Sequence, residues 1–106
     1  MNATAHFRTD KASRYLASLC KHFAHKVPVT QTAQTGRVEF PFGSCDLSVR
    51  SDLLTFVVSA PDPVHVDKVM GIVTSHLERF AFRENPTLSW QTSTGDEPGS
   101  AAGIPE

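Results

Sequence analysis

The sequence has little of several features that define large classes of protein. It contains only two cysteines, Cys20 and Cys45, and no CxxC pair, so no disulfide framework is indicated. Residues 1–14 hold no apolar segment of a signal peptide, and no apolar run is long enough to cross a bilayer. We therefore predict a cytoplasmic protein, in which both thiols stay reduced, and no membrane partner.

A strong charge of either sign is also absent. Ten Lys and Arg oppose eleven Asp and Glu, which leaves a net charge of −1. All ten basic residues but only eight acidic ones fall within residues 1–91, so this part carries a charge of 10 − 8 = +2. An excess this small gives no indication of nucleic-acid binding. A GxGxxG sequence is missing as well, so no flavin or nicotinamide module is indicated.

What is present is the patterning of one small globular domain, with 40% hydrophobic residues in a chain of 106. Apolar and polar residues alternate in several short segments, which is typical of strands with one buried face. Tight-turn sequences separate the middle segments, and this favours an antiparallel meander. The predicted strands cover residues 3–8, 29–33, 37–42, 45–50 and 54–58, and Leu88 and Trp90 indicate a last one.

Two segments have the three- and four-residue apolar spacing of amphipathic helices. The first runs from Lys11 to about Lys26 and is ended by Pro28. The second begins at Asp62-Pro63, an N-cap aspartate followed by proline at the first helical position, and ends near residue 83.

These elements predict an α+β two-layer sandwich of order β-α-β-β-β-β-α-β. Its sheet is antiparallel or mixed, and both helices cover one face because an apolar sheet face needs a cover. We assign residues 1–91 to this single domain. Residues 92–106 contain only one large apolar side chain, Ile104, and are predicted to form a disordered tail.

Three segments resemble a known bacterial family: RYLASLCKHFAHKVPV at 14–29, GRVEFPFGSCDL at 36–47 and HLERFAFRE at 76–84. They are similar, in this order and at these spacings, to the domain of unknown function family 2218, over nearly all of residues 4–91. The resemblance implies no established biochemical activity. Similar domains occur beside siderophore-interacting, ferric-reductase-like modules, which implies a loose link to iron or siderophore handling.

Histidines on the two helices are the first candidate site. His22 and His25 lie three residues apart on the first predicted helix, so they could share a transition metal, with His76 of the second helix as a third ligand. No cofactor other than such a metal is indicated. Cys20 lies about 160° around the helix from His22 and does not join them. The alternative is that the histidines only flank the end of the helix.

Arginines form the second candidate site. Arg79 and Arg83 stand four residues apart at the end of the second helix, and Arg37 opens a strand. Guanidinium groups suit a carboxylate or phosphate, so we predict a site for a small anionic ligand. The alternative is that Arg79 and Arg83 form ion pairs with Glu39 or Glu84, or bind the last carbonyls of the helix.

Phe82 is the third candidate, because it falls on the side of the second helix opposite the apolar stripe. An exposed aromatic ring there marks a surface for a homodimer or another protein partner, unless Leu88 or Trp90 covers it.

A non-catalytic accessory domain that binds a ligand or a partner is the leading hypothesis. A transition-metal-binding domain is the first alternative, and a small enzyme of unknown reaction is the second. Catalysis by a thiol is disfavoured because Cys20 and Cys45 both fall on predicted apolar faces.

Overall fold

The structure is a computed structural model and describes residues 1–84, 86 and 88–93. Six strands and two long helices follow one another there in the predicted order. Their bounds are β1 (Asn2–Arg8), α1 (Ala12–Phe23), β2 (Val29–Gln31), β3 (Thr35–Phe40), β4 (Gly43–Arg50), β5 (Leu53–Ser59), α2 (Pro63–Phe80), a 3₁₀ turn (Phe82–Glu84) and β6 (Gln91–Ser93). The predicted α+β class is confirmed.

The strands form one sheet in the order β2-β3-β4-β5-β1-β6, and every pairing is antiparallel. Alternate side chains of β1, β3, β4 and β5 are buried beneath the two helices, as the period of two predicts. Phe56 lies at the centre of this layer and is fully buried. Both helices therefore cover the same face of the sheet.

The β3–β4 hairpin turns two residues earlier than predicted. The sequence favours a strand to Phe42 and a turn at Gly43-Ser44, but the last pair of the ladder is Phe40 with Gly43. Pro41 has no N–H to donate, so the strand ends before it. Phe42 consequently leaves the sheet and stacks against Phe40, with ring centres 5.6 Å apart.

The β4–β5 hairpin has the predicted turn at Ser51-Asp52. Arg50 pairs with Leu53 across it, and Ser51 adopts φ 56° to close the two-residue loop.

The N-terminus of α2 forms as predicted, since the Asp62 side chain accepts from the backbone N–H of His65 at 2.9 Å and Pro63 opens the helix. The end of α1 differs, because the helix ends at Phe23 rather than near Lys26. Lys26 and Val27 both donate to the carbonyl of Phe23, so the last turn tightens before Pro28. Neither helix is long and apolar enough to cross a membrane in the part of the chain that the structure describes.

The last strand also lies further along the chain than predicted. Leu88 and Trp90 precede β6, whose residues Gln91–Ser93 pair with Asn2–Thr4 of β1. Trp90 instead packs near Phe56, and its indole N–H donates to Thr74 on α2. The predicted tail at 92–106 thus begins with two strand residues, and residues 94–106 lie outside the described part.

Candidate functional site

A groove lies between α1 and the end of α2. It has a volume of about 230 Å³ and is called the helix groove below. One side comes from the start of α1 and the other from α2 and the 3₁₀ turn. Its lining is Lys11, Arg14, Tyr15, Ser18, Phe80, Phe82, Arg83 and Glu84.

A hydrogen-bond network fixes the closed end of the helix groove. The Tyr15 hydroxyl donates to Glu84 Oε2 at 2.5 Å, and the buried Thr9 hydroxyl donates to the same oxygen at 3.0 Å. Thr9 Oγ1 in turn accepts from the backbone N–H of Lys11. The 3₁₀ turn is thereby tied to the start of α1.

The protonation states of this network follow from the same contacts. The hydrogen bond from Tyr15 is the main reason that the pKa of Glu84 lies below its usual value. The hydrogen bond to Glu84, followed by burial, raises the pKa of Tyr15 to about 12. At neutral pH the carboxylate is therefore charged and the phenol is neutral.

The open end of the helix groove is cationic and aromatic. Phe82 is 66% exposed, and the Arg83 guanidinium lies 5.5 Å from the centre of its ring. Neither Leu88 nor Trp90 shares the groove with Phe82. Within the described residues, no carboxylate lies within ion-pairing distance of Arg14 or Arg83.

The predicted trio Arg37, Arg79 and Arg83 is not assembled. Only Arg83 lines the helix groove. Arg37 lies on β3, where its guanidinium donates to Glu39 at 3.0 Å and to Asp46 at 2.8 Å. The register places Arg37 opposite Asp46, and period-two alternation turns both away from the helices. Glu39, predicted as a partner of Arg79 or Arg83, pairs with Arg37 instead.

Two of the three predicted histidines do meet. The rings of His22 on α1 and His76 on α2 have centres 4.7 Å apart. His76 Nδ1 lies 2.7 Å from the carbonyl oxygen of Ile72, and since a carbonyl only accepts, Nδ1 carries the proton. Partial burial, and next the neighbouring His76, lower the pKa of His22.

His25 does not join this pair. It follows the end of α1, where the chain turns, so the helical spacing that would have aligned it with His22 is lost. Among the described residues, no group of three or more His, Cys, Asp or Glu is placed to hold a metal ion. The predicted set of His22, His25 and His76 is therefore not formed as a set.

Comparison with known families identifies the chain. The model of a bacterial family, described as an uncharacterized protein conserved in bacteria (DUF2218), matches residues 4–91. The chain belongs to the DUF2218 family. A comparison with curated proteins gives no match. The NMR structure of PA4090 from Pseudomonas aeruginosa is similar to this DUF2218 domain, with a TM-score of 0.74 and 33% identity, over 85% of this chain and 94% of that one.

The two thiols of this DUF2218 domain lie in the core. Cys20 and Cys45 are free and are 0% and 1% exposed. Burial raises the pKa of each thiol, so both stay protonated at neutral pH. Gly36 packs so closely over Cys20 that a Cβ at position 36 would overlap the sulfur atom.

Sequence reasoning missed the network that closes the helix groove. Lys11 occupies the N-cap of α1 without a side-chain cap, and Thr9 binds Glu84 instead. The spacing of Tyr15 from Ala12 and Leu19 fits the apolar face of α1, which is the one signal in the sequence for its inward position. Its partner Glu84 lies 69 residues away, and no local pattern connects the two.

The Tyr15→Phe substitution tests the network. The ring is kept, so its packing against Phe7 remains, but one donor to the Glu84 carboxylate is lost. We expect the free energy of unfolding at pH 7 to fall by about 1.5 kcal/mol, the low end of the range for a hydrogen bond to a charged group, because Thr9 still donates to the same oxygen. Urea denaturation followed by far-UV circular dichroism measures it.

The pH dependence provides the check on this substitution. The pKa of Glu84 is lower in the folded state than in the unfolded state. The contribution of Glu84 to the free energy of unfolding is therefore present above the unfolded pKa and is lost as the pH falls through the folded pKa. The raised pKa of Tyr15 gives a contribution that is lost as the pH rises from about 10 to 12. The stability difference between the two proteins should therefore shrink at both extremes. A difference that is constant with pH would contradict this account.

Proposed function

We propose that this domain is a non-catalytic binding module that holds a small organic anion with an aromatic or apolar part in the helix groove. The observation that carries the proposal is the meeting of three cations, Lys11, Arg14 and Arg83, with the exposed ring of Phe82 around one cavity. An apolar surface beside a few converging charged groups is the usual composition of a ligand site.

The charges favour an anion. Lys11, Arg14 and Arg83 bring three positive charges to the groove, and Glu84 brings one negative charge whose oxygen already accepts two hydrogen bonds. The guanidinium groups of Arg14 and Arg83 offer planar pairs of donors that fit a carboxylate. The guanidinium of Arg83 and the nearby ring of Phe82 add planar groups against which a ligand ring can pack.

The size of the cavity restricts the ligand. A volume of about 230 Å³ is below the roughly 300–1,000 Å³ of pockets for drug-sized molecules. A single substituted ring with a carboxylate, or one end of a longer molecule, is the class that fits.

The protonation states support binding rather than catalysis. A general acid or base works best with a pKa near the working pH. In the helix groove the pKa of Tyr15 is raised to about 12 and that of Glu84 is lowered, so neither exchanges a proton near neutrality. The thiols are buried and do not line the groove.

A link to iron or siderophore handling belongs to this proposal. It is supported by the resemblance described above, since similar domains occur beside siderophore-interacting modules. A catecholate acid unites an aromatic ring with a carboxylate, which is the chemistry that the groove would recognise.

The experiment is calorimetric titration of the purified protein with 2,3-dihydroxybenzoate and with benzoate, using benzyl alcohol as the uncharged comparison. We expect the two anions to bind and the alcohol not to bind. The double variant Arg14→Gln, Arg83→Gln should lose binding by about tenfold or more, because a charge-assisted contact contributes on the order of 1.5–3 kcal/mol.

Arg50→Gln is the matched control, since Arg50 is an exposed arginine of β4 outside the groove, and it should leave binding unchanged. Phe82→Ala should weaken binding of the aromatic anions while leaving the melting temperature without ligand nearly unchanged. Equal binding of benzyl alcohol would overturn the proposal. So would a stable dimer in light scattering that loses its association on Phe82→Ala, because the ring would then serve a partner chain.

A further inference from the structure

The His22–His76 pair lies apart from the helix groove. Phe80 separates them: its ring lines the groove, and it also meets the His22 ring edge-on at 5.7 Å between centres. Both histidines are half-buried, and each is held on one of the two long helices. The pair is therefore placed by the packing of α1 on α2.

The hydrogen bond of His76 leaves one ring nitrogen available. Nδ1 donates to the Ile72 carbonyl, so Nε2 of the neutral ring keeps its lone pair. Metal-ligating histidines commonly donate their other ring N–H to a backbone carbonyl in this way, which fixes the tautomer and the ring direction. His76 thus already makes the hydrogen bond that orients the ring of a metal-ligating histidine.

The separation of the ring centres is compatible with two imidazoles that share one ion. With metal–nitrogen bonds of about 2.0–2.1 Å, an ion lies roughly 3.2 Å from the centre of each ligating ring. Two such rings at nitrogen–metal–nitrogen angles of about 90–110° have centres roughly 4.5–5.2 Å apart. The observed distance is 4.7 Å, and the rings are tilted by 52° rather than stacked.

Aromatic neighbours hold the two rings in place. The Phe23 ring lies 4.8 Å from His76 and 5.8 Å from His22, and Phe80 supports His22 from the other side. Rings packed in this way lose little further freedom on binding an ion. The positive charges of Lys26 and Arg79, both exposed, work against a cation, and solvent screens them.

We propose that His22 and His76 form a two-histidine site for a late first-row divalent metal ion, with the remaining positions open to water or an exogenous ligand. Imidazole suits Zn²⁺, Ni²⁺ and Cu²⁺, and among these Cu²⁺ binds a given nitrogen site most tightly. The proposed site includes no carboxylate and no thiolate. Hard ions that prefer carboxylate ligands and soft ions that prefer thiolate ligands are therefore disfavoured. It is independent of the helix groove and of the anion proposed there.

The experiment titrates tag-free protein with Cu²⁺ alone, in a buffer that does not chelate metals, by calorimetry and electron paramagnetic resonance. We expect one equivalent to bind, with a spectrum that shows two nitrogen ligands from histidine. His22→Gln and His76→Gln should each weaken binding on the order of 100-fold, since loss of an outer partner alone costs about 10–100-fold. Melting temperatures without metal show first that each variant is folded.

His25→Gln is the matched control, because His25 lies three residues after His22 but follows the end of α1 at Phe23. It should leave Cu²⁺ binding unchanged. If His76→Gln does not fold, His22→Gln carries the test, since His22 lies in the last turn of α1. Full binding in the His22→Gln variant, or equal loss in His25→Gln, would overturn the proposal. Binding of 2,3-dihydroxybenzoate should be unaffected by either change, which separates this site from the helix groove.

Discussion

The Phe56→Ala variant is expected to lose about 3–5 kcal/mol of the free energy of unfolding, the largest effect of any single change considered. Phe56 is 0% exposed and stands at the centre of the helix-covered face. Its register partners there are Ala5 on β1 and Leu47 on β4. Ala5 is too small to fill the space that the ring leaves, and the two flanking strands hold the backbone in place, so a cavity remains.

Urea denaturation is the measurement, with far-UV circular dichroism as the main signal. Trp90, the one tryptophan of the chain, packs 6.2 Å from the Phe56 ring between centres, so its fluorescence reports the same region independently. A small domain has only about 5–15 kcal/mol of stability, so the shift in midpoint should be large.

Phe82→Ala is the control for this prediction. It removes the same side chain from a position that is 66% exposed, so the expected change is within about 0.5 kcal/mol. If the two alanine variants were destabilised equally, the assignment of Phe56 to the centre of the core would be wrong.

The Gly43→Ala variant is expected to lose about 2–3 kcal/mol, which is large for the addition of one methyl group. A Cβ at position 43 would lie 2.7 Å from the backbone oxygen of Ser59 and 3.1 Å from Ala60 Cβ. The oxygen belongs to β5, which pairs with β4 along its whole length, so it cannot move without disturbing the ladder. Thermal unfolding monitored by circular dichroism would show the loss as a lowered Tm.

Gly71→Ala gives the opposite expectation and serves as the control. Gly71 lies in the middle of α2, and a Cβ there would meet nothing within 4 Å. Alanine should therefore stabilise the helix by about 0.5–1 kcal/mol, since glycine has more conformational freedom to lose on folding. A similar loss in both variants would indicate that position 43 tolerates a side chain as well as position 71 does.

The two proposed sites share one structural origin, the contact of α1 with α2. Phe80 contributes to both, because it lines the helix groove and its ring also contacts the ring of His22. A substitution that shifts one helix against the other should therefore affect both sites together, whereas the single-residue variants proposed above should separate them.

The sequence by itself determined the order of the elements, the buried sides of β1, β3, β4 and β5, and the start of α2. These follow from local rules: side chains alternate along a strand, apolar residues recur every three to four positions along a helix, and an aspartate before proline caps a helix. The ends of elements were predicted less well. At α1 and at the β3–β4 hairpin, the end depends on which backbone groups find partners, and a residue pattern shows this poorly.

Only the tertiary structure decided which candidate residues meet. His22 and His76 come together because α1 and α2 pack side by side, while His25 is lost to the pair because α1 ends at Phe23. Arg37 points away from Arg83 because of the pleat of β3, and its guanidinium donates to Asp46. Tyr15 donates to Glu84, which lies 69 residues further along the chain. The physical reason is that periodicity specifies the face of an element and leaves open the partner against which that face packs.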